Sequence, residues 1–136
     1  MLKRIFLLFI MCVTALSISS CVTSHDYNFE VSCEQFDENS HHSSDFALEV
    51  GDKLRLKLCS DQAAGFQWDY EFTTENVVNE EDHDFQEPAE GAVDTAGIEL
   101  WTFEAVGEGS TEIQMEYSQP GEGGVVWTCN ITVTVE

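Results

Sequence analysis

Four histidines and five cysteines are among the side chains of this sequence that could bind a metal or act in nucleophilic catalysis. The histidines are His25, His41, His42 and His83. None of them lies at a ligand-like spacing from another histidine or a cysteine on one predictable element. A catalytic cysteine and histidine pair also needs a turn that can stabilise an oxyanion, and no glycine turn of that kind accompanies a histidine. We therefore expect solvated histidines, no metal, no cofactor and no enzymatic activity.

A run of acidic side chains could hold calcium through carboxylate oxygens. It consists of Glu80, Glu81, Asp82, His83 and Asp84. The run lacks the glycine and the alternating ligand positions of an EF-hand loop. We therefore interpret it as a solvated acidic loop.

A short run of small residues between two strand-like segments has the features of a binding loop. The run comprises Ser60, Asp61, Gln62, Ala63, Ala64 and Gly65, and the aromatic residues Phe66 and Trp68 follow it. A loop fixed between rigid strands loses little conformational freedom when it binds a partner. The sequence therefore places the binding chemistry on this loop.

Alternation of apolar and polar residues with a period of two dominates the region that would position the loop. The apolar positions are Phe46, Leu48 and Val50; Leu54, Leu56 and Leu58; Phe66, Trp68, Tyr70 and Phe72; Ile98 and Leu100; and Ile113, Met115 and Tyr117. β-Branched residues dominate the segment after Val125. The pattern predicts an all-β, immunoglobulin-like β-sandwich of about seven strands. Between Thr73 and Gly97 we expect a long acidic loop with one short strand at Val77 and Val78. No segment after Cys21 shows a convincing helical period.

The first residues have the order of a bacterial lipoprotein signal: a basic start, an apolar run, and small residues before Cys21. We predict a signal peptide over residues 1–20 and lipidation at Cys21. Residues 21–45 would then form the lipidated N-terminus, an edge strand and a linker, and residues 46–136 the sandwich domain, with a first strand from Tyr27 to Cys33. A plain signal peptide and an uncleaved anchor stay open as alternatives. We expect a monomer in the cell envelope, anchored by lipid and facing the periplasm or the exterior.

The charge is strongly negative, with a formal net charge of −21. All 26 Asp and Glu residues follow the predicted signal peptide, where the basic residues are only Lys53, Arg55 and Lys57. Such a field excludes nucleic acid and anionic membrane surfaces as partners. It favours a cationic partner or a saline habitat, and a solvated surface that keeps a secreted protein soluble is the alternative.

Three cysteines remain after the predicted signal peptide and lipidated residue, and an oxidising compartment favours one disulfide among them. Cys129 shares its parity with Trp127 and Ile131, which indicates a small buried apolar residue. We therefore favour a disulfide between Cys33 and Cys59, although connectivity is not fixed by sequence.

Three segments carry a resemblance to a known family. With the loop from Ser60 to Gly65, then Trp101-Thr102-Phe103, then Tyr117-Ser118-Gln119-Pro120, the chain resembles the chagasin family, inhibitors of papain-like cysteine peptidases. The resemblance covers most of the predicted domain. It implies an immunoglobulin-like sandwich whose three neighbouring loops enter the peptidase cleft as a wedge and block it without being cut.

The resemblance also assigns residues to the three loops. The NPTTG motif falls on Asp61, Gln62, Ala63, Ala64 and Gly65, with Phe66 following; the glycine-rich turn falls on Asp94, Thr95, Ala96 and Gly97; the RPW motif falls on Gln119, Pro120 and Gly121. Framework positions match, whereas contact positions differ. Because Gln62 replaces a proline, the first loop should be more mobile. Loss of an arginine and a tryptophan in the third loop should weaken binding.

These observations lead to two functional hypotheses. The first is an envelope-anchored inhibitor of papain-like cysteine peptidases. The second is a non-inhibitory binding module on the same scaffold that recognises a basic protein or a cation, which the acidity favours. A structural envelope domain without a specific ligand is a third, because sandwiches host many functions.

Overall fold

The computed structural model describes residues 23–91 and 96–136, and the side chain of Glu122 lies outside that description. Within these residues the chain forms eight strands and one short helix. They are β1 (Asp26–Val31), α1 (Cys33–Glu38), β2 (His41–Leu48), β3 (Lys53–Ser60), β4 (Gln67–Phe72), β5 (Val78–Gln86), β6 (Gly97–Ala105), β7 (Gly109–Gln119) and β8 (Glu122–Val135). A 3₁₀ turn at Gln62–Ala64 lies between β3 and β4.

The strands form two four-stranded sheets that pack face to face, and the prediction of an all-β, immunoglobulin-like sandwich is confirmed. One sheet has the order β1-β3-β6-β5 and the other β2-β8-β7-β4. Strand β6 alternates buried and half-buried residues along its whole length, as expected of a strand with one face on the core. Leu54, Leu56, Phe103, Ile113 and Ile131 are fully buried between the sheets.

The first part of the described chain contributes to both sheets. Strand β1 pairs in parallel with β3, and β2 pairs in parallel with β8. The segment expected to be a linker therefore contains α1 and the first residues of β2. Across the described residues, no helix has the length and apolar character needed to span a bilayer.

The structure contains one short helix in a part of the chain where the sequence shows no convincing helical period. Helix α1 begins at Cys33 because Ser32 and Gln35 form a capping box: the Ser32 hydroxyl accepts from the Gln35 N–H, and the Gln35 side chain accepts from the Ser32 N–H. A six-residue helix is too short to show a clear apolar period. A disulfide joins Cys33 to Cys59 with a Cα–Cα distance of 5.1 Å, which fixes α1 to the end of β3.

The expectation of a long acidic loop with a short strand at Val77 and Val78 was wrong. Strand β5 continues for nine residues, from Val78 to Gln86, and includes the acidic run from Glu80 to Asp84. Among the described strands it lies at the edge of its sheet and pairs only with β6, and a bulge between Glu80 and Asp82 shifts its register. Because most of its side chains are exposed and the bulge interrupts the period of two, the strand lacks the alternation that predicts one.

The connections divide between the two ends of the sandwich. At one end Ser60 pairs with Gly97, and Gln67 pairs with Ser118, so the β3–β4, β5–β6 and β7–β8 connections all lie there; we call it the loop end. The chain enters β1 at the opposite end, where the Lys53 N–H donates to the His25 carbonyl at 2.9 Å.

Candidate functional site

Loop 1, residues 61–66, is a capped 3₁₀ turn. The Asp61 side chain accepts a hydrogen bond from the Ala64 N–H at 3.2 Å, and the Phe66 N–H donates to the Asp61 carbonyl at 3.2 Å. Gly65 ends the turn with a φ of 87°, a left-handed conformation that favours glycine. Ala63 and Ala64 are exposed at the tip. The loop is therefore narrow, and its backbone is held from within.

A column of four stacked aromatic rings supports loop 1 from the core side. Phe66 stacks on Tyr117 with ring centroids 5.0 Å apart, Tyr117 on Trp127 at 4.7 Å, and Trp127 on Phe36 of α1 at 4.8 Å. The Tyr117 hydroxyl accepts from the Asp61 N–H at 2.7 Å. Burial raises the pKa of this hydroxyl, so it stays protonated while it holds the first residue of the loop.

Loop 3 is a two-residue turn, Pro120 and Gly121, between the paired residues Gln119 and Glu122. Proline followed by a glycine with a φ of 79° is typical of a type II turn. The Gln119 side chain leaves this hairpin and donates from Nε2 to the Ala64 carbonyl at 2.6 Å. Loops 1 and 3 are therefore joined directly.

Loop 2, between β5 and β6, is described only in part. Asp94 and Thr95, which the sequence assigns to it, lie outside the described residues. Ala96 is half-buried and packs against the core, and Gly97 is buried in register with Ser60 beside loop 1. A Cβ at Gly97 would overlap the Phe85 ring and lie 2.5 Å from the Gln86 carbonyl oxygen. Glycine is therefore required where loop 2 enters β6.

The buried carboxylate of Glu99 binds the stems of loop 1. Only 1% of Glu99 is exposed. Its Oε2 accepts from the Ser60 hydroxyl at 2.6 Å and from the Trp68 N–H at 3.1 Å. Its Oε1 lies 2.8 Å from Nε2 of His83 on β5, and that nitrogen must carry the hydrogen because a carboxylate accepts. One side chain thus connects the strand before loop 1, the strand after it and the strand before loop 2.

Sequence reasoning missed Glu99 and His83. His83 was expected to be solvated, and its side chain is 36% exposed. It also bonds Glu99 and stacks on Trp101 with ring centroids 3.5 Å apart. A signal was available, because Glu99 has the same parity as Trp101 and Phe103 and so occupies a core-facing position of β6. A carboxylate on such a face is buried and requires donors nearby.

The remaining feature of the loop end is a cleft. A cleft of about 670 Å³ is lined by the Cys33–Cys59 disulfide, Asp61, Ala63, Ala96, Tyr117 and Trp127. Within the described residues, no group of three or more histidine, cysteine or carboxylate side chains could hold a metal ion.

The comparison with protein families identifies the chain. The profile described as "Chagasin family peptidase inhibitor I42" matches residues 47–135. The chain belongs to the chagasin family. Membership supports an inhibitory role, since the family is described as one of peptidase inhibitors. A search of the curated proteins finds no match.

Solved structures similar to this chagasin-family chain share its fold at low identity. The cysteine protease inhibitor EhICP2 from Entamoeba histolytica is 16% identical, with a TM-score of 0.66 over 83% of this chain and 97% of that one. PbICP-C, solved in complex with falcipain-2, is 12% identical with a TM-score of 0.59, over 83% of this chain and 100% of that one. Amebosin is 14% identical with a TM-score of 0.57, over 84% of this chain and 99% of that one. At these identities the likeness shows the fold alone.

Proposed function

We propose that this protein inhibits papain-like cysteine peptidases by inserting its loop end into their substrate cleft. One observation carries the proposal: loops 1 and 3 meet at a single end of the sandwich and are joined there by the hydrogen bond from Gln119 to Ala64. The part of loop 2 that is described, Ala96 and Gly97, lies at the same end. Three chain segments held against one another form a surface that can block a cleft without rearranging.

The tip of loop 1 fits a narrow cleft. Its exposed side chains at Ala63 and Ala64 are single methyl groups, and Gly65 has none. Internal hydrogen bonds and the Gln119 amide satisfy much of its backbone, so the loop resists adopting the extended form that a peptidase cleaves. The mechanism is steric and uses no catalytic group or cofactor of the inhibitor.

We also propose an envelope location, and the direction in which the chain enters the fold is compatible with an N-terminal lipid anchor. Residues 1–22 lie outside the described part, so the proposed lipid at Cys21 rests on sequence. The described chain enters the sandwich through Asp26, which pairs with Lys53 at the end opposite the loops. A lipid attached five residues before Asp26 would hold that end near the membrane and direct the loop end outward.

Inhibition of a papain-like peptidase tests the proposal directly. The full chain, purified in a mild detergent, is titrated against papain with a fluorogenic peptide as substrate. We expect competitive inhibition, and intact inhibitor after prolonged incubation. Full peptidase activity at high micromolar inhibitor would overturn the proposal, and calcium-induced shifts in melting temperature would then favour the cation-binding module.

A further inference from the structure

The β7–β8 hairpin contains an insertion beside loop 3. Gln119 pairs with Glu122, whereas the next described pair on the core side is Tyr117 with Trp127. Ser118 of β7 therefore lies opposite four residues of β8. These four are Gly123, Gly124, Val125 and Val126, which we call the valine bulge.

The valine bulge exposes two apolar side chains that a regular strand would not. Val125 and Val126 are each 47% exposed, although neighbouring residues of a strand normally point to opposite faces. The rest of β8 keeps that alternation, with Cys129, Ile131 and Val133 fully buried. The bulge turns both valines away from the core.

In the described part of the chain, no strand pairs with the valine bulge on the side where β2 pairs with the rest of β8. Strand β2 pairs with β8 only from Thr128 onward, because β2 begins at His41. Gly123 has a φ of 73°, and a Cβ at Gly124 would meet no atom within 4 Å. A partner surface could therefore approach the bulge closely.

The bulge is continuous with the candidate binding surface. Trp127 follows it directly and lines the cleft that Ala63 of loop 1 also lines. Gln119, at the base of the same hairpin, bonds loop 1. No charged side chain occurs between Gly123 and Glu136, in a chain with a net charge of −21. The four residues of the bulge are therefore neutral and apolar, whereas Glu122 directly before them is charged.

We propose that the valine bulge is a further contact element of the inhibitor, which packs against an apolar wall beside the substrate cleft of the bound peptidase. The inference rests on the proposed function and adds to it a segment outside the three loops. Exposed apolar side chains next to a binding surface increase the affinity for a partner, because association removes their surface from water. The valines would supply such burial where Gly121 offers no side chain.

An isosteric double variant tests the bulge. Val125→Thr with Val126→Thr keeps the β-branched shape and replaces one methyl of each residue by a hydroxyl. We expect the inhibition constant for papain to rise by about tenfold while the melting temperature stays unchanged. The matched control is Val50→Thr with Val106→Thr, because these valines are 45% and 39% exposed at the opposite end. We expect no change in inhibition for the control.

The outcomes separate this inference from the proposed function. If the wild type inhibits papain and the bulge variant inhibits it as strongly as the control variant does, the role of the bulge is overturned and the proposed function stands. No inhibition by the wild type overturns both. If the threonine double variant melts at a lower temperature than the wild type, the double variant Val125→Ala with Val126→Ala gives a second measurement. Wild-type inhibition by both the threonine and the alanine double variants also overturns the role of the bulge.

Discussion

Gln119 Nε2 donates to the carbonyl oxygen of Ala64 across 2.6 Å, between residues 55 positions apart in sequence. The contact joins loop 3 to loop 1 at the point where loop 1 turns back towards the core. It gives Gln119 an intramolecular role at a position where the sequence comparison shows only the loss of an arginine. The loop that was expected to be more mobile, because Gln62 replaces a proline, is restrained by this bond from outside.

Removing the Gln119 amide should weaken inhibition more than it weakens folding. In Gln119→Ala the exposed Ala64 carbonyl regains water, so we expect the free energy of unfolding to fall by less than about 1 kcal/mol. Loop 1 would lose its external restraint and bear a larger ordering cost on binding, which we expect to raise the inhibition constant by about tenfold. The matched control is Gln114→Ala, an exposed glutamine on the same strand. Equal inhibition constants for the two variants would contradict the role of Gln119.

Replacing Gly65 by a residue with a side chain should destabilise the fold, because of the backbone conformation at this position. A Cβ there would meet only Gln119 atoms at 3.8 Å, so the cost arises from its φ of 87° and not from a clash. We expect Gly65→Ala to reduce the free energy of unfolding by about 1–2 kcal/mol and Gly65→Asn by less, because asparagine tolerates the left-handed region better. Urea unfolding measures both.

A second glycine provides the control for Gly65. Gly124 has no positive φ, and its Cβ would meet nothing within 4 Å. We expect Gly124→Ala to change the free energy of unfolding by less than about 0.5 kcal/mol. If both alanine variants lose the same stability, the left-handed conformation of Gly65 is not the cause.

The buried carboxylate of Glu99 should be essential for the stems of loop 1. In Glu99→Gln the single amide oxygen can replace only one of the two carboxylate oxygens. If it keeps the bonds from Ser60 and Trp68, the amide NH₂ faces the N–H of His83, and if it accepts from His83, the NH₂ faces the Ser60 and Trp68 donors. We expect the free energy of unfolding to fall by about 1–3 kcal/mol. Glu104→Gln lies on the same strand with its side chain facing outward, and we expect a change within about 0.5 kcal/mol. Chemical denaturation of both variants measures the difference, and equal stability would contradict the assigned role.

Asp52 should make stability depend on acid pH. The N–H groups of Glu49 and His25 donate to its buried carboxylate at 2.9 Å, and these bonds, that of Glu49 first, hold the pKa of Asp52 below its ordinary value of 3.8. A folded-state pKa below the unfolded one stabilises the fold fully above about pH 3.8 and progressively less as the pH falls through the folded value. Asp52→Asn should therefore melt lower than the wild type at pH 7, and the gap should narrow below pH 4. A gap that stays constant with pH would contradict this assignment.

The sequence predicted the strands whose alternation of apolar and polar residues matches one buried and one exposed face in the fold. Strand β6 and the core half of β8 show regular alternation because one face of each is buried. Strand β5 does not, since it is an exposed edge with a bulge. Loop 1 could be located because its small residues interrupt two strands. The bond from Gln119 and the donors around Glu99 could not be found, because they join residues far apart in sequence whose proximity depends on the whole sandwich.

The central claim is that the loop end blocks a papain-like peptidase with loop 1 at its centre. The most direct measurement is the inhibition constant for papain of the wild type beside Gly65→Val, a β-branched residue at the left-handed position. We predict inhibition by the wild type that is competitive with substrate, and a loss of at least tenfold in Gly65→Val while the variant remains folded. Undiminished inhibition by a folded Gly65→Val would show that the wedge lies elsewhere, and no inhibition by the wild type would contradict the account as a whole.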